Sequence, residues 1–277
     1  MATDRQRRAT LEALGAAAGL ALGWPALTRA QTAPRSIARV KESLVAVGTV
    51  QKLRAPPFEF SGTGFVIGDG TLVATNAHVL SGPAQAQAQG PQAPAAAAAS
   101  EPSAIAVVLP SRESQAPQVR EARAVAVDPA HDLAILKLAG PPLPALTLAG
   151  PDLVEEGESL LFSGFPLGTV LGVFPATHRA LVAAVTPVAI PPANARQLDP
   201  RTIRRLQTGP FPIYQLDATA YPGNSGSPLF LPDTGEVVGV LNMVFVKGTK
   251  EAALSAPSGI SYAIPVRYLR ELLAQVK

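Results

Sequence analysis

Three short segments carry residue types that could perform acyl transfer together. VATNAHVL contains His78, HDLAILKL begins with His131 and Asp132, and YPGNSGSPL contains Ser225. A serine hydroxyl is a poor nucleophile near neutral pH, so it needs an imidazole to take its proton and a carboxylate to hold that imidazole in the right tautomer. We therefore predict His78 as the base, Asp132 as the orienting acid and Ser225 as the nucleophile.

The order of these residues separates this chain from other hydrolases. All three histidines precede Ser225: His78, His131 and His178. An α/β-hydrolase places its histidine after its serine and uses G-x-S-x-G, whereas the second residue after Ser225 is Ser227. A subtilisin order would need an early acid such as Asp69 and a helix after Ser225, but the apolar run from Pro228 favours a strand. Zinc catalysis is disfavoured because the chain has no cysteine and no H-E-x-x-H pair.

Glycines on both sides of Ser225 indicate how an oxyanion could be bound. Gly223 and Gly226 allow the backbone to turn tightly. The amides of Gly223 and Ser225 can then point to the place where a tetrahedral intermediate carries its negative oxygen. We predict that these two amides form an oxyanion hole.

The remaining histidines and a second acid are assigned other roles. His131 precedes Asp132 on a presumed strand, where neighbours point to opposite faces, so we expect His131 at the surface or in a supporting position. His178 has no motif around it and is expected in a loop. Asp128 precedes Pro129, which is typical of a turn.

The composition indicates a mostly β protein. Of 277 residues, 47% are hydrophobic and 16% charged, with 28 prolines and 23 glycines, which favours short strands and turns over long helices. The net charge is only +3, and the cluster RTIRRL lacks interleaved aromatic residues, so no nucleic-acid partner is expected. Without cysteine there is no disulfide framework.

Residues 1–30 are predicted to be an export signal. Arg5, Arg7 and Arg8 precede the weakly apolar LEALGAAAGLALG, and the pair Arg7-Arg8 resembles a twin-arginine signal, with cleavage after Ala30. We expect an exported protein of the periplasm or bacterial cell envelope, with no stable membrane span, because a span needs about 20 apolar residues. An amphipathic amino-terminal helix is the alternative. Residues 31–42 form a short amino-terminal segment.

Two strand-rich halves and a final helix follow. Alternating apolar runs predict strands in residues 43–145, with a hairpin turn at Gly68, Asp69 and Gly70, and again in residues 146–277. Residues 81–103 are nearly all alanine, glutamine, proline and glycine and are predicted to be an exposed low-complexity loop. The chain ends in an amphipathic helix beginning near Pro265.

The motifs SGTGFVI, ATNAHVL, HDLAILKL, YPGNSGSPL and GISYAIP resemble the trypsin-like protease domain of the HtrA (DegP-like) family over most of residues 43–270. This resemblance implies an all-β fold of two antiparallel six-stranded β-barrels, residues 43–145 and 146–277, with the active site between them. It implies a serine endopeptidase that cleaves exported or unfolded polypeptides without a cofactor or metal. Trimers are common in the family. Few residues follow the last helix, so we expect no PDZ domain.

The resemblance also places a substrate-binding pocket. The residues that it assigns to the pocket are uncharged: Thr219, Ala220, Leu241, Asn242 and Met243, with the segment around Ser261 and Ala263. A pocket without a carboxylate cannot compensate the desolvation of a buried lysine or arginine, so we expect cleavage after small or medium aliphatic residues. The backbone of residues 241–243 is expected to pair with an extended substrate.

Two residues beside the nucleophile refine the prediction. Asn224 is uncharged and cannot pair with a newly cut amino terminus, so activation by internal cleavage is not expected. Ser227 stands where the family usually has glycine. Two other functions therefore stay open: a protease-like protein that binds unfolded segments with little turnover, and an esterase that uses the same triad.

Overall fold

All twelve predicted strands are present in the computed structural model and form two closed antiparallel barrels. The structure describes residues 24–51, 53–80, 104–110, 117–168, 172–188, 209–242 and 259–276. The low-complexity segment 81–103, most of the predicted signal, most of the proline-rich loop between the eighth and ninth strands, and Met243 lie outside these residues. The all-β prediction with a closing helix is confirmed.

The first barrel has the strand order β1-β2-β3-β6-β5-β4. Its strands are β1 (Leu44–Val50), β2 (Phe58–Ile67), β3 (Leu72–Asn76), β4 (Ala104–Leu109), β5 (Gln118–Asp128) and β6 (Leu133–Leu138). The predicted hairpin joins β2 to β3: Gly68 and Gly70 adopt φ of 64° and 87°, which L side chains rarely tolerate. Between them, Asp69 accepts the Thr71 N–H at 2.9 Å and fixes the turn.

The second barrel has the corresponding order β10-β11-β12-β9-β8-β7. Its strands are β7 (Ser159–Gly164), β8 (Ala176–Val188), β9 (Phe211–Asp217), β10 (Pro228–Phe230), β11 (Val237–Asn242) and β12 (Ile260–Pro265). Two of these strands matter for function. The segment carrying Ser225 leads directly into β10, and β11 pairs with it on one side and with β12 on the other.

Among the described residues, three helices accompany the barrels: α1 (Trp24–Glu42), α2 (Ala77–Leu80) and α3 (Val266–Leu273). No helix was predicted from the sequence in residues 31–42. In the structure, α1 extends through them to Glu42 and packs on the β10–β11 turn of the second barrel. There Ser36 donates to the Pro232 carbonyl and Arg39 to the Thr234 carbonyl. Within the described part of the chain, no helix is long and apolar enough to span a membrane.

Helix α3 ties the barrels together through its apolar face. Val266, Leu269 and Leu272 are buried in one core with residues of both barrels, namely Leu133 and Ile135 of β6, Val240 of β11 and Ile264 of β12. Burying a side chain of this size contributes roughly 1.5–3 kcal/mol. The predicted amphipathic helix therefore links the two barrels through a shared core.

The connector after β6 also binds both barrels. Leu146 donates its N–H to the Val66 carbonyl of β2 at 2.8 Å. Three residues farther on, Ala149 N–H donates to the Val237 carbonyl of β11 at 2.9 Å, and Val237 returns a bond to Thr147. These backbone bonds hold the crossing chain in place, so the two barrels do not depend on side-chain packing alone.

The loop prediction for His178 is wrong, because His178 lies in β8. It pairs with Phe162 of β7, and the two rings stack with centroids 4.9 Å apart. Its Nε2 is buried and has no hydrogen-bond partner among the described residues. Burial lowers the pKa of His178 below its usual value, because the charged ring would lose its hydration.

We predict that acidification destabilises the protein partly through His178. The unfolded chain binds a proton on this histidine near its ordinary pKa of about 6.5, while the folded chain resists protonation, so stability is lost as the pH falls through that value. His178→Phe keeps the stack on Phe162 and removes the proton site. Urea unfolding at about pH 7.5 and about pH 5.5 should show a smaller loss for the variant than for the wild type. Equal losses in both proteins would contradict the assignment.

Candidate active site

His78 lies in the first turn of α2, directly after β3, and is bound twice by Asp132. The His78 backbone N–H donates to Asp132 Oδ1 at 2.9 Å, and the ring atom Nδ1 lies 2.7 Å from Asp132 Oδ2. Since an ionised carboxylate only accepts hydrogen bonds, the proton of the neutral ring belongs on Nδ1. Nε2 is then left as the basic nitrogen, which is the tautomer that a general base for serine requires.

Asp132 is not on a strand, as the sequence had suggested, but ends the turn between β5 and β6. Its φ is 55°, a left-handed conformation that aspartate tolerates better than most residues. The Asp132 carbonyl accepts from the Asn76 side chain and the Ala77 N–H, each at 3.1 Å. The turn is therefore held through its backbone as well as through the carboxylate.

The Asp132 carboxylate receives donors from both barrels. Asn242, at the end of β11, donates its side-chain N–H to Asp132 Oδ2 at 2.8 Å, and Asn242 is fully buried. Burial of Asp132 acts to raise its pKa, but the hydrogen bonds and charge of His78 and the bond from Asn242 outweigh it, so the pKa lies below its usual range. Asp132 is consequently a carboxylate at neutral pH.

The nucleophile segment consists of two consecutive β-turns, residues 221–224 and 224–227. In each, the fourth N–H donates to the first carbonyl at 3.0 Å. The third residue of each turn is a glycine with positive φ, 101° for Gly223 and 85° for Gly226, as type II turns require. Ser225 occupies the second position of the second turn.

Thr63 of β2 holds this segment against the first barrel. Its N–H donates to the Ser225 carbonyl at 2.8 Å, and its hydroxyl donates to the Gly223 carbonyl at 2.7 Å. Both carbonyls are thus directed into β2. By contrast, the amide N–H groups of Gly223 and Ser225 meet no acceptor among the residues that the structure describes. These are the two amides predicted for an oxyanion hole.

Leu241 of β11 holds the same segment against the second barrel. Its carbonyl accepts the Gly226 N–H at 3.0 Å, and its N–H donates to the Ser227 carbonyl at 2.9 Å. Both backbone groups of Leu241 are therefore engaged, and its side chain is fully buried. We expected the backbone of residues 241–243 to pair with substrate. The backbone of Leu241 supports the nucleophile segment, and Met243 lies outside the described residues.

The base and the nucleophile approach the same glycine of β2. A Cβ placed on Gly62 would lie 2.8 Å from the Val79 side chain and 3.0 Å from the Ser225 carbonyl. Val79 directly follows His78, so the base and nucleophile segments converge on this point. No hydrogen bond joins the Ser225 hydroxyl to the His78 ring within the described ranges, and in unliganded sites such bonds are often long.

The other residues predicted for the pocket have varied positions. Thr219 is partly exposed, whereas Ala220 is buried in the core of the second barrel. The buried Ser261 hydroxyl donates to the Ala218 carbonyl at 2.7 Å. Asn242 was predicted to line the pocket, but its amide donates to Asp132. One indication of this role was present in the sequence, an asparagine at the end of the otherwise apolar strand VVGVLN.

Two antiparallel barrels with a histidine–aspartate pair and a serine turn at their junction define the architecture of a trypsin-like serine peptidase. Residues 62–240 match the family model described as "Trypsin-like peptidase domain", and the chain belongs to this family.

Curated relatives agree with this assignment. A probable periplasmic serine endoprotease DegP-like of Marinomonas sp. is 28% identical over 216 residues, which is 78% of this chain and 35% of that protein. The mitochondrial serine protease HTRA2 of Bos taurus is 31% identical over 254 residues, 87% of this chain and 44% of that protein. The chain thus spans less than half the length of these relatives.

Solved structures share the fold. The active form of the Rv3671c protease from M. tuberculosis superposes with a TM-score of 0.58 at 22% identity, covering 89% of this chain and 86% of that one. The serine endoprotease from Yersinia pestis gives a TM-score of 0.56 at 21% identity, covering 89% and 66%.

We predict that Asn242→Leu destabilises the protein and raises the pKa of Asp132. The variant removes a donor from a buried carboxylate, which typically costs about 1–3 kcal/mol. Chemical unfolding at neutral pH measures this cost, and repeating it at acidic pH, where Asp132 becomes protonated, should narrow the difference from wild type. A difference that does not change with pH would contradict a role for Asn242 in holding the charged carboxylate.

Gly164 and Ser227 form a second testable contact behind the nucleophile. A Cβ on Gly164 would lie 2.0 Å from the Ser227 hydroxyl oxygen, which is buried and has no partner among the described residues. We expect Gly164→Ala to cost about 1–3 kcal/mol through overpacking. Ser227→Ala should be nearly neutral alone and should recover part of that loss in the double variant, as measured by a double-mutant cycle of unfolding free energies. Strict additivity would show that the two positions do not interact.

Proposed function

We propose that this chain is a serine endopeptidase that acts through a Ser225–His78–Asp132 triad. The observation that carries the proposal is the His78–Asp132 pair, 2.7 Å apart, placed beside a serine turn that Thr63 anchors at both Gly223 and Ser225. Asp132 fixes the ring tautomer, and Nε2 of His78 is the basic atom available to the serine.

The reaction begins with attack of Ser225 Oγ on the substrate carbonyl carbon. The hydroxyl proton passes to His78 Nε2, and the ionised Asp132 stabilises the resulting imidazolium. The amides of Gly223 and Ser225 donate to the negative oxygen of the tetrahedral intermediate. His78 then protonates the leaving amine, the acyl-enzyme forms, and water activated by the same histidine releases the second product.

Exported or unfolded polypeptides are the proposed substrates, in the periplasm or cell envelope, since relatives are named periplasmic serine endoproteases. Thr219 and Ala220 bring no charge to the pocket, which supports cleavage after small or medium aliphatic residues. Homo-oligomerisation is part of the proposal by resemblance. No cofactor is needed for the chemistry of this triad.

The test compares active-site labelling with turnover. A fluorophosphonate should label the wild-type protein, and Ser225→Ala should abolish the labelling. His78→Ala should reduce cleavage of an unfolded protein by at least about 10³-fold in kcat, because the residues of a triad act as a unit. Circular dichroism of each variant checks that the fold is intact.

The same experiment separates the two other functions. An intact wild-type protein that binds unfolded protein but takes no label would be a binding protein. The observation that favours this outcome is Ser227, whose buried hydroxyl has no partner among the described residues. Labelling and ester turnover without proteolysis would identify an esterase. Either result would overturn the endopeptidase proposal.

A further inference from the structure

A second histidine–aspartate pair, His131 with Asp128, comes just before the triad acid Asp132 in the chain. His131 Nδ1 is 2.6 Å from Asp128 Oδ2, and Asp128 Oδ1 accepts the N–H groups of Ala130 at 2.9 Å and His131 at 3.2 Å. Asp128 thus binds the turn that follows it at three points. The pKa of Asp128 lies below its usual range: burial acts to raise it, but the bonds and charge of His131 outweigh that effect.

The His131 ring also reaches the other barrel and the closing helix. It stacks on Tyr268 of α3 with centroids 4.1 Å apart and planes inclined by 14°. Phe211, the first residue of β9, meets the ring edge-on at 4.5 Å, and Phe211 and Tyr268 contact each other at 5.3 Å. The side chain of His131 is only 21% exposed. It is therefore enclosed by Asp128 of the first barrel and two aromatic rings from elements beyond it.

The turn that His131 belongs to is the one that presents Asp132. Asp132 has a left-handed backbone, which costs energy in a residue with a Cβ and persists only when the surroundings hold it. On its carboxyl side it continues into β6, and its carbonyl is bound by Asn76 and Ala77. On its amino side lies His131, whose side chain is held by Asp128 and Tyr268. A rotation at this residue would move the carboxylate relative to His78.

From this geometry we infer that His131 is a positioning residue for Asp132: its bond to Asp128 and its stack on Tyr268 lock the β5–β6 turn onto α3 and so hold the carboxylate against His78. The inference rests on the proposed triad. It implies that the packing of α3 influences the acid of the triad.

The experiment uses the full chain and variants that divide the two contacts. His131→Ala removes both the bond to Asp128 and the stack on Tyr268, whereas His131→Phe loses the bond and keeps a ring against Tyr268. Tyr268→Leu removes the stack, and Tyr268→Phe retains it. His178→Phe is the matched control, since it also replaces a partly buried, ring-stacked histidine, but in β8. Hydrolysis of a peptide ester is measured per active site, titrated with a fluorophosphonate, so that unfolded protein does not contribute.

We expect His131→Ala to lower kcat by about tenfold or more with KM changed by less than about twofold, because small misplacement of a catalytic group slows the chemical step. His131→Phe and Tyr268→Leu should fall between it and wild type, and Tyr268→Phe should lose less than Tyr268→Leu. Wild-type kcat per titrated site in His131→Ala would overturn the inference. A fall in His178→Phe equal to that in His131→Phe would also overturn it, because the loss would then be a general effect of exchanging a packed imidazole for a phenyl ring.

A spectroscopic readout keeps this test independent of turnover. The proton that His78 Nδ1 shares with Asp132 should give a low-field proton resonance, which His78→Ala would identify by its loss. We expect His131→Ala to shift or broaden this resonance, and an unchanged resonance would overturn the inference. If the wild type takes no fluorophosphonate label, the proposed function fails, and the resonance still decides whether His131 positions Asp132.

Discussion

The site depends on one buried negative charge, the carboxylate of Asp132. A carboxylate removed from water is stable only when donors replace its hydration, and here the donors come from both barrels: His78 from the first and Asn242 from the second. Neither barrel supplies all of these donors. The requirement to pair this group therefore selects a particular placement of the barrels, and the same placement brings the serine turn next to the histidine.

The backbone of the segment that carries Ser225 is also bound by both barrels. Gly223 and Gly226 allow two tight turns in succession, and Thr63 and Leu241 bind the turns from opposite barrels. Helix α3 adds a third connection, since its apolar face enters a core shared by both barrels. If His131 acts as we infer, that helix also steadies the acid of the triad, so the same packing stabilises the fold and the arrangement of the site.

Much of the fold could be predicted from the sequence because strand patterns and glycine turns are local signals. The two strand-rich halves, the hairpin at Gly68 to Gly70 and the closing helix follow from alternation, turn chemistry and helical spacing, whereas the number of twelve strands was implied by the family resemblance. The errors arose where a contact distant in sequence decides the outcome. His178 was predicted in a loop because its neighbours carry no motif, but the pairing of β8 with β7, which sets His178 opposite Phe162, places it in a strand. Asp132 looked like the start of a strand, but tertiary bonds hold it in a left-handed turn.

The sequence by itself determined which residues are chemically competent: a serine between glycines, a histidine after a strand of small residues, and an acid before an apolar strand. It could not determine their partners, because hydrogen-bond geometry depends on the relative placement of segments that are far apart in the chain. Only the tertiary structure decided that Asn242 donates to Asp132, that Leu241 supports the nucleophile, and that His131 lies between Asp128 and Tyr268. Each of these contacts crosses between elements, and packing is what creates them.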